Sequence, residues 1–362
     1  MGETLDKPIL NKNPIDGETN IFRYGMNEIQ GRKKSMEVYS IKEVEIDKKN
    51  NINIFGLFVG HSGNEISQYL SQQFPIELSK NNNFINGDYK KALSETFKNI
   101  DISLRTEEVN NKLINYSQQN KLNQKQKIND IYKTIDNQNN LNENDLEDIN
   151  TFMDILDPNN LEGVYISDYV GSSGIIILIS EKITYIANAG NSHCIAINKN
   201  LTLIKDKNII EQNIYDYNEK KRIKNIRGFK YGKEKEKKYE KEEYLYTRGF
   251  GDFQYKNNNL INIDEQEISC KPDIFEISND DIKFLIICNS GFFDSGKLFD
   301  NDYKNIERNI ATYFLQKLQS EQKIISDIIG DYFNGVMQIE NSNNQDLIDD
   351  NLSCIIIDFF DK

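Results

Sequence analysis

His61 is one of two histidines in the chain, and it stands in the segment with the most chemical content. Residues Phe55-Gly56-Leu57-Phe58-Val59-Gly60-His61-Ser62-Gly63 read as a hydrophobic strand that runs into a glycine–histidine turn and then a helix. An imidazole at such a turn is able to give or take a proton near neutral pH. It is also a good capping or turn residue. An acid without an activated nucleophile supplies only part of a rate, about 10²–10⁴-fold. The four cysteines, Cys194, Cys270, Cys288 and Cys354, lie far apart and lack CxxC spacing. They fit isolated core thiols in a reducing compartment, and neither a zinc site nor a disulfide scaffold. With 44 basic against 57 acidic side chains, a net charge of −13, the chain is not built to neutralise nucleic-acid phosphates.

The elements that must position His61 are short. Ser40–Ile46, Ile52–Phe58, Gly174–Ile179, Thr184–Ala187, Cys194–Asn198, Phe284–Cys288 and Cys354–Phe359 are rich in β-branched or aromatic residues and bounded by turn residues, and they read as strands. Asn64–Phe74, Tyr89–Arg105 and Asp302–Leu318 carry apolar residues at helical spacing. Many strands with a few long helices predict an α+β layered domain, with sheets packed together and helices outside. No apolar run approaches the roughly 20 residues of a membrane span. Asparagine is abundant, 49 of 362 residues, and 12 of these fall between Asn110 and Asn150. That stretch reads as part of a low-complexity insertion at about 106–155, with a helical piece around Leu146–Ile155. Lys230–Glu243, KYGKEKEKKYEKEE, reads as a solvated helix or flap insertion. One domain over 21–361, behind an extension at 1–20, accounts for the length.

The ordered segments carry a resemblance. The turn at Val59-Gly60-His61-Ser62-Gly63 is similar to the Asp-Gly-His-Gly-Gly element of the PP2C family, the metal-dependent protein serine/threonine phosphatases. Tyr24–Gly31 with Met36-Glu37 resembles that family's first strand, and Gly171–Gly174 with Ala187–Ser192 its central hairpin. Thr247-Arg248-Gly249-Phe250-Gly251-Asp252-Phe253 resembles its Ser-Arg-Ala-Leu-Gly-Asp-Phe element. Lys271-Pro272-Asp273 precedes a strand ending in Cys288-Asn289-Ser290-Gly291-Phe292-Phe293-Asp294, and Asp350-Asn351-Leu352-Ser353 stands before the last strand. Six motifs in the right order make the resemblance specific. It implies a β-sandwich of two antiparallel sheets flanked by helices, with a metal site at one edge.

The family's reaction is phosphomonoester hydrolysis by a water held between two Mg²⁺ or Mn²⁺ ions. Such hard cations take oxygen ligands, mainly carboxylates. The resemblance places the bridging carboxylate at Val59, which cannot coordinate. Glu37 and the Gly60 carbonyl are retained, but the carboxylate beside Glu37 is Val38. A further ligand position holds Ser290, with the neutral Asn289 next to it. Asp350 is retained, and the carboxylate tied to a third metal is Asn191. The phosphate-gripping arginine is Lys33, which keeps the charge without the bidentate fork. Asp252 is retained, and Asp252 and Asp294 read as turn braces. Of the three direct carboxylates only Asp350 survives.

The sequence therefore predicts a pseudophosphatase, with the fold kept, His61 vestigial as a general acid and no metal cofactor. It would act in the cytoplasm, with the nucleus or a membrane surface as alternatives, by binding a protein partner such as a kinase or a phosphoprotein. One alternative is an active Mn- or Mg-dependent phosphatase rebuilt on Asp350, Glu37, Asn289 and the Gly60 carbonyl. Another is a module that grips a phosphorylated ligand through Lys33 without cleaving it. Gly2 raises N-myristoylation, against which Asp6 stands where that pattern wants Ser or Thr.

Overall fold

The computed structural model describes residues 4–42, 44–120, 165–204, 212, 216–231, 247–299, 305–320, 323–343 and 350–360. Among them, period-two alternation along Ile52–His61 sorts side chains onto two faces. Phe55, Leu57 and Val59 enter one core, and Ile54 and Phe58 another. A strand apolar on both faces must be covered on both, which sets the layering.

In chain order the strands are β1 (Thr4–Ile9), β2 (Ile15–Glu18), β3 (Phe22–Ile29), β4 (Gly31–Lys33), β5 (Val38–Ser40), β6 (Glu45–Asp47) and β7 (Ile52–His61). They continue as β8 (Gly171–Ile179), β9 (Ile183–Ala189), β10 (His193–Asn198), β11 (Phe250–Gly251), β12 (Asp273–Ser278), β13 (Ile282–Cys288) and β14 (Leu352–Phe359). One antiparallel sheet runs β12-β9-β8-β7-β5, with β6 on β7 and β11 on β8. The other runs β10-β13-β14-β3-β2, and β1 pairs β4 apart from both. The two sheets enclose the core of Phe55, Leu57, Ile175, Ile177, Leu285, Ile287, Ile355 and Ile357. Helices α1 (Glu65–Lys80), α2 (Asn82–Ile85) and α3 (Tyr89–Ser103) cover the first sheet's outer face. Ile306–Ser320 and Ile325–Asn343 cover the second sheet's outer face. The result is a helix–sheet–sheet–helix sandwich, as the sequence predicts.

Four expectations need correction. Ser40–Ile46 is not one strand: pairing runs Ser40 with Leu57 but Glu45 with Asn53, so this side carries one residue more than β7. That extra residue is a bulge, and it divides the segment into β5 and β6. Residues 107–120, assigned to the polar insertion, are helical, because Val109, Leu113 and Tyr116 share a face that packs on α1 and α3. The fold also does not wait for residue 21, since β2 pairs β3 with Ile15 opposite Met26. The thiols are not isolated, because Cys288 and Cys354 stand opposite each other on β13 and β14, both fully buried. Helix Ile325–Asn343 had no counterpart in the sequence reading. Its apolar stripe, Ile325, Ile328, Ile329, Tyr332, Phe333, Val336 and Met337, has the i, i+3, i+4, i+7 spacing that would have identified it. The remainder of the polar insertion, the segment Leu146–Ile155, nearly all of Lys230–Glu243, and Gly2 lie outside the described residues.

Candidate functional site

The site positions gather where β7 ends, β5 and β14 begin, and the turn between β9 and β10 approaches the start of helix Ser290–Ser295. Antiparallel pairing sets Val38 directly opposite Val59. The two are 1% and 8% exposed and belong to the inter-sheet core, so two expected ligand positions have become one hydrocarbon contact. Asn191 and Ser290 also meet, with Asn191 Nδ2 donating to Ser290 Oγ at 3.3 Å. The four positions that lack a carboxylate thus fall into two contacting pairs.

The two retained carboxylates converge on Lys33. Its Nζ lies 2.6 Å from Glu37 Oε2 and 3.2 Å from Asp350 Oδ1. Ser35 Oγ donates to Glu37 Oε1 at 3.0 Å, and the Asn351 N–H to Asp350 Oδ1 at 2.8 Å. Burial opposes the ammonium charge, yet Asp350 and Glu37 outweigh it, and the Lys33 pKa is raised. Lys33 is engaged with two anions, which opposes the phosphate contact expected of it.

Buried amides hold these segments in place. Asn351 Nδ2 donates to the carbonyls of Gln30 and Ser35, and its Oδ1 accepts from the Glu37 N–H at 2.8 Å. Asn289 caps helix Ser290–Ser295: its Oδ1 accepts from the N–H groups of Phe292 and Ser353, and its Nδ2 donates to the Asn351 carbonyl. Both lone-pair directions of that oxygen are therefore used, and Asn289 has no coordinating atom to spare. The Gly60 N–H donates to the Glu37 carbonyl at 2.8 Å. A Cβ on Gly60 would stand 2.5 Å from the Gly63 carbonyl oxygen, so the chain requires glycine there. Gln30 and Asn351 are the positioning residues that the sequence alone does not mark as such, although both stand inside the motifs that carry the resemblance.

A dinuclear Mg²⁺ or Mn²⁺ centre needs several oxygen donors, and Mg²⁺ demands near-octahedral geometry. This donor set does not fit it: two positions are hydrocarbon, two are neutral and paired to each other, and two carboxylates share an ammonium. Among the described residues no group of three or more His, Cys, Asp or Glu side chains is placed to hold a metal ion.

The other half of the site is intact in geometry. His61 Nε2 lies 2.6 Å from Asp252 Oδ2, whose side chain is 4% exposed. Asp252 is left-handed at φ 53°, a rare conformation for a residue other than glycine. Its loop is fixed by Asp101, whose Oδ1 accepts from the Gly251 N–H at 2.8 Å and whose Oδ2 meets Lys256 Nζ at 2.7 Å. Lys256 also donates to the Gly249 carbonyl. Gly171 faces the dyad, where a Cβ would come within 2.1 Å of both Asp252 Oδ2 and His61 Nε2. Farther along, Arg248 Nη2 meets Glu219 Oε1 at 2.6 Å, and Arg222 and Thr247 bond Glu219 Oε2. Burial would raise the Glu219 pKa, but the two guanidiniums hold it down to about 2. Asp294, expected to brace a turn, is exposed and pairs with Lys297. The corner at His61 can orient and hold a proton; it supplies no nucleophile of its own.

The model of the Protein phosphatase 2C family matches residues 22–117 and 110–297. The chain belongs to the PP2C family. It is 25% identical over 363 residues to "Probable protein phosphatase 2C 6" of Paramecium tetraurelia, covering 99% of this chain and 100% of that one. "Probable protein phosphatase 2C 5" of the same organism is 26% identical over 328 residues, covering 90% and 89%. Among solved structures, a phosphatase from Toxoplasma gondii superposes with a TM-score of 0.58 at 14% identity, over 97% of this chain and 96% of that one. A Caenorhabditis elegans sex determining protein superposes at 0.52 with 11% identity, over 95% of this chain and 66% of that one. At such identities these likenesses establish the PP2C fold and not the chemistry. No helix of the described residues is long and apolar enough to cross a membrane.

Proposed function

We propose that this PP2C-family chain is a pseudophosphatase, a protein that keeps the phosphatase fold, performs no metal-dependent hydrolysis and acts by binding a protein partner. The observation that carries this reading is Val38 packed opposite Val59 in the inter-sheet core. A carboxylate buried there without a cation would be costly, whereas two valines are at no disadvantage. Losing even an outer partner of a metal ligand costs roughly 10–100-fold in affinity, and here two ligand positions have become part of a core. The binding face would be the former substrate face around Lys33, Asp350 and His61. The partner proposed for it is a protein such as a kinase, since Lys33 is already engaged by two carboxylates and is not left to grip a phosphate.

The test is Mn²⁺ titration calorimetry on the full chain, run beside turnover assays with a phosphopeptide and an aryl phosphate. The expected result is no saturable tight binding and no Mn²⁺-dependent turnover. Tight binding of two metals, with turnover abolished in Asp350→Ala, would overturn the reading in favour of a rebuilt phosphatase.

A further inference from the structure

Two carboxylates carried over from a metal site need a counter-charge. Glu37 and Asp350 are separated by 313 positions, and they approach the same point because β5 and β14 begin at the same edge. Their side chains are 11% and 34% exposed, so water screens Asp350 in part and Glu37 little. Uncompensated, the pair would repel. Lys33, the last residue of β4, places its ammonium between them at 2.6 and 3.2 Å. Ser35 and the Asn351 N–H donate to the same two carboxylates. All of these donors come from the chain itself.

We infer that the Lys33 ammonium is a built-in cation, which holds the ends of β4, β5 and β14 together in place of a divalent metal and blocks one from binding. This rests on the pseudophosphatase reading and adds to it an identity for the replacement charge. The ammonium is a compact point charge with three donors, suited to two carboxylates approaching from different directions. Removing it leaves two anions facing each other with oxygen atoms exposed, which is the start of a hard-cation site. Lys33→Met keeps most of the unbranched side chain, one heavy atom shorter, and removes the charge together with its three N–H donors. It should therefore gain what the wild type lacks, a stabilising response to millimolar Mn²⁺.

The experiment is thermal melting and Mn²⁺ electron paramagnetic resonance on three full-length proteins. These are the wild type, Lys33→Met, and Lys33→Met combined with Glu37→Gln and Asp350→Asn. The wild type should show no Tm change with Mn²⁺. Lys33→Met should melt lower by roughly 5 °C, recover most of that loss in Mn²⁺ and show bound Mn²⁺ by resonance. The triple variant, with no charge left to balance, should melt near the wild type and ignore Mn²⁺. If Lys33→Met does not fold, a folded, metal-indifferent triple variant still supports the inference, and an unfolded one overturns it. A Lys33→Met protein that folds but neither loses Tm nor takes up Mn²⁺ overturns the inference and leaves the pseudophosphatase reading standing. A wild type stabilised by Mn²⁺ as strongly as Lys33→Met overturns both.

Discussion

Two halves of one site meet at the end of β7 and differ in what became of their charges. On the side of Val38, Val59, Asn191 and Ser290, four ligand positions are neutral, and the carboxylates that remain lean on Lys33. On the side of His61, Asp252 and Gly171, the geometry is complete down to a 2.6 Å contact. The second half sits on a buried ion pair, Asp101–Lys256, with both side chains fully enclosed. A metal ligand is held by its metal, and once the metal is given up the carboxylate becomes a burden. A buried network that ties a loop to a sheet keeps its value whether or not chemistry occurs beside it. His61 and Asp252 stand on a structural network of their own, so their presence is not by itself a sign of activity.

The largest effect should come from the structural half. Lys256→Met leaves Asp101 buried without its cation and should cost about 3–5 kcal/mol in urea denaturation. Adding Asp101→Asn should recover much of that. If Lys256→Met proves neutral, the intact corner is not maintained by its ion pair, and the contrast between the halves collapses.

Gly171→Ala comes next. Its new methyl must push His61 and Asp252 apart, and overpacking of this kind should cost about 1–3 kcal/mol. The His61 imidazole resonances should move with it; unchanged resonances would mean that the dyad is looser than its 2.6 Å contact implies.

A pH effect of about 2 kcal/mol should appear on the side of Asn191 and Ser290. His193 follows the turn that carries Asn191, stacks on Phe293 at 3.7 Å, and is pushed down to about 3 by burial, with Lys297 adding to it. The unfolded chain takes up a proton near pH 6.5 that the folded protein refuses. Stability from this group is thus full above that pH and is lost as pH falls from there toward 3. By pH 5 the loss should reach about 2 kcal/mol, at about 1.4 kcal/mol per unit. Denaturation of His193→Gln should lack this component; an equal slope in both proteins would show that other groups produce it.

The smallest effect should be Asn191→Ala. Its bond to Ser290 is long and partly exposed, so less than about 1 kcal/mol should be lost. A larger loss would mean that the emptied half has acquired structural duties comparable to those of the other.

Legibility in the sequence followed the range of the interaction. The β-branched and aromatic run Ile52–Phe58, the helical stripe of α3 and the order of the turn motifs are local, and they led to the sandwich. The stripe of Ile325–Asn343 is just as local and carries the same helical spacing, while the bulge between β5 and β6 has no composition of its own. Helix 107–120 was hidden by its asparagines, because three apolar residues on one face suffice when a core is waiting to receive them.

At the site, the residue types alone determined that Val59, Val38, Ser290 and Asn191 cannot supply carboxylates, since coordination is a property of the side chain. Only the tertiary structure decided what these side chains do instead. Val38 faces Val59 because of strand register, and Asn289 spends its oxygen on two backbone N–H groups. Lys33 reaches Asp350 across 317 positions because β4 ends where β14 begins. Local spacing carries no record of such contacts, since they are fixed by how the sheets close and by which charges are left facing each other when they do.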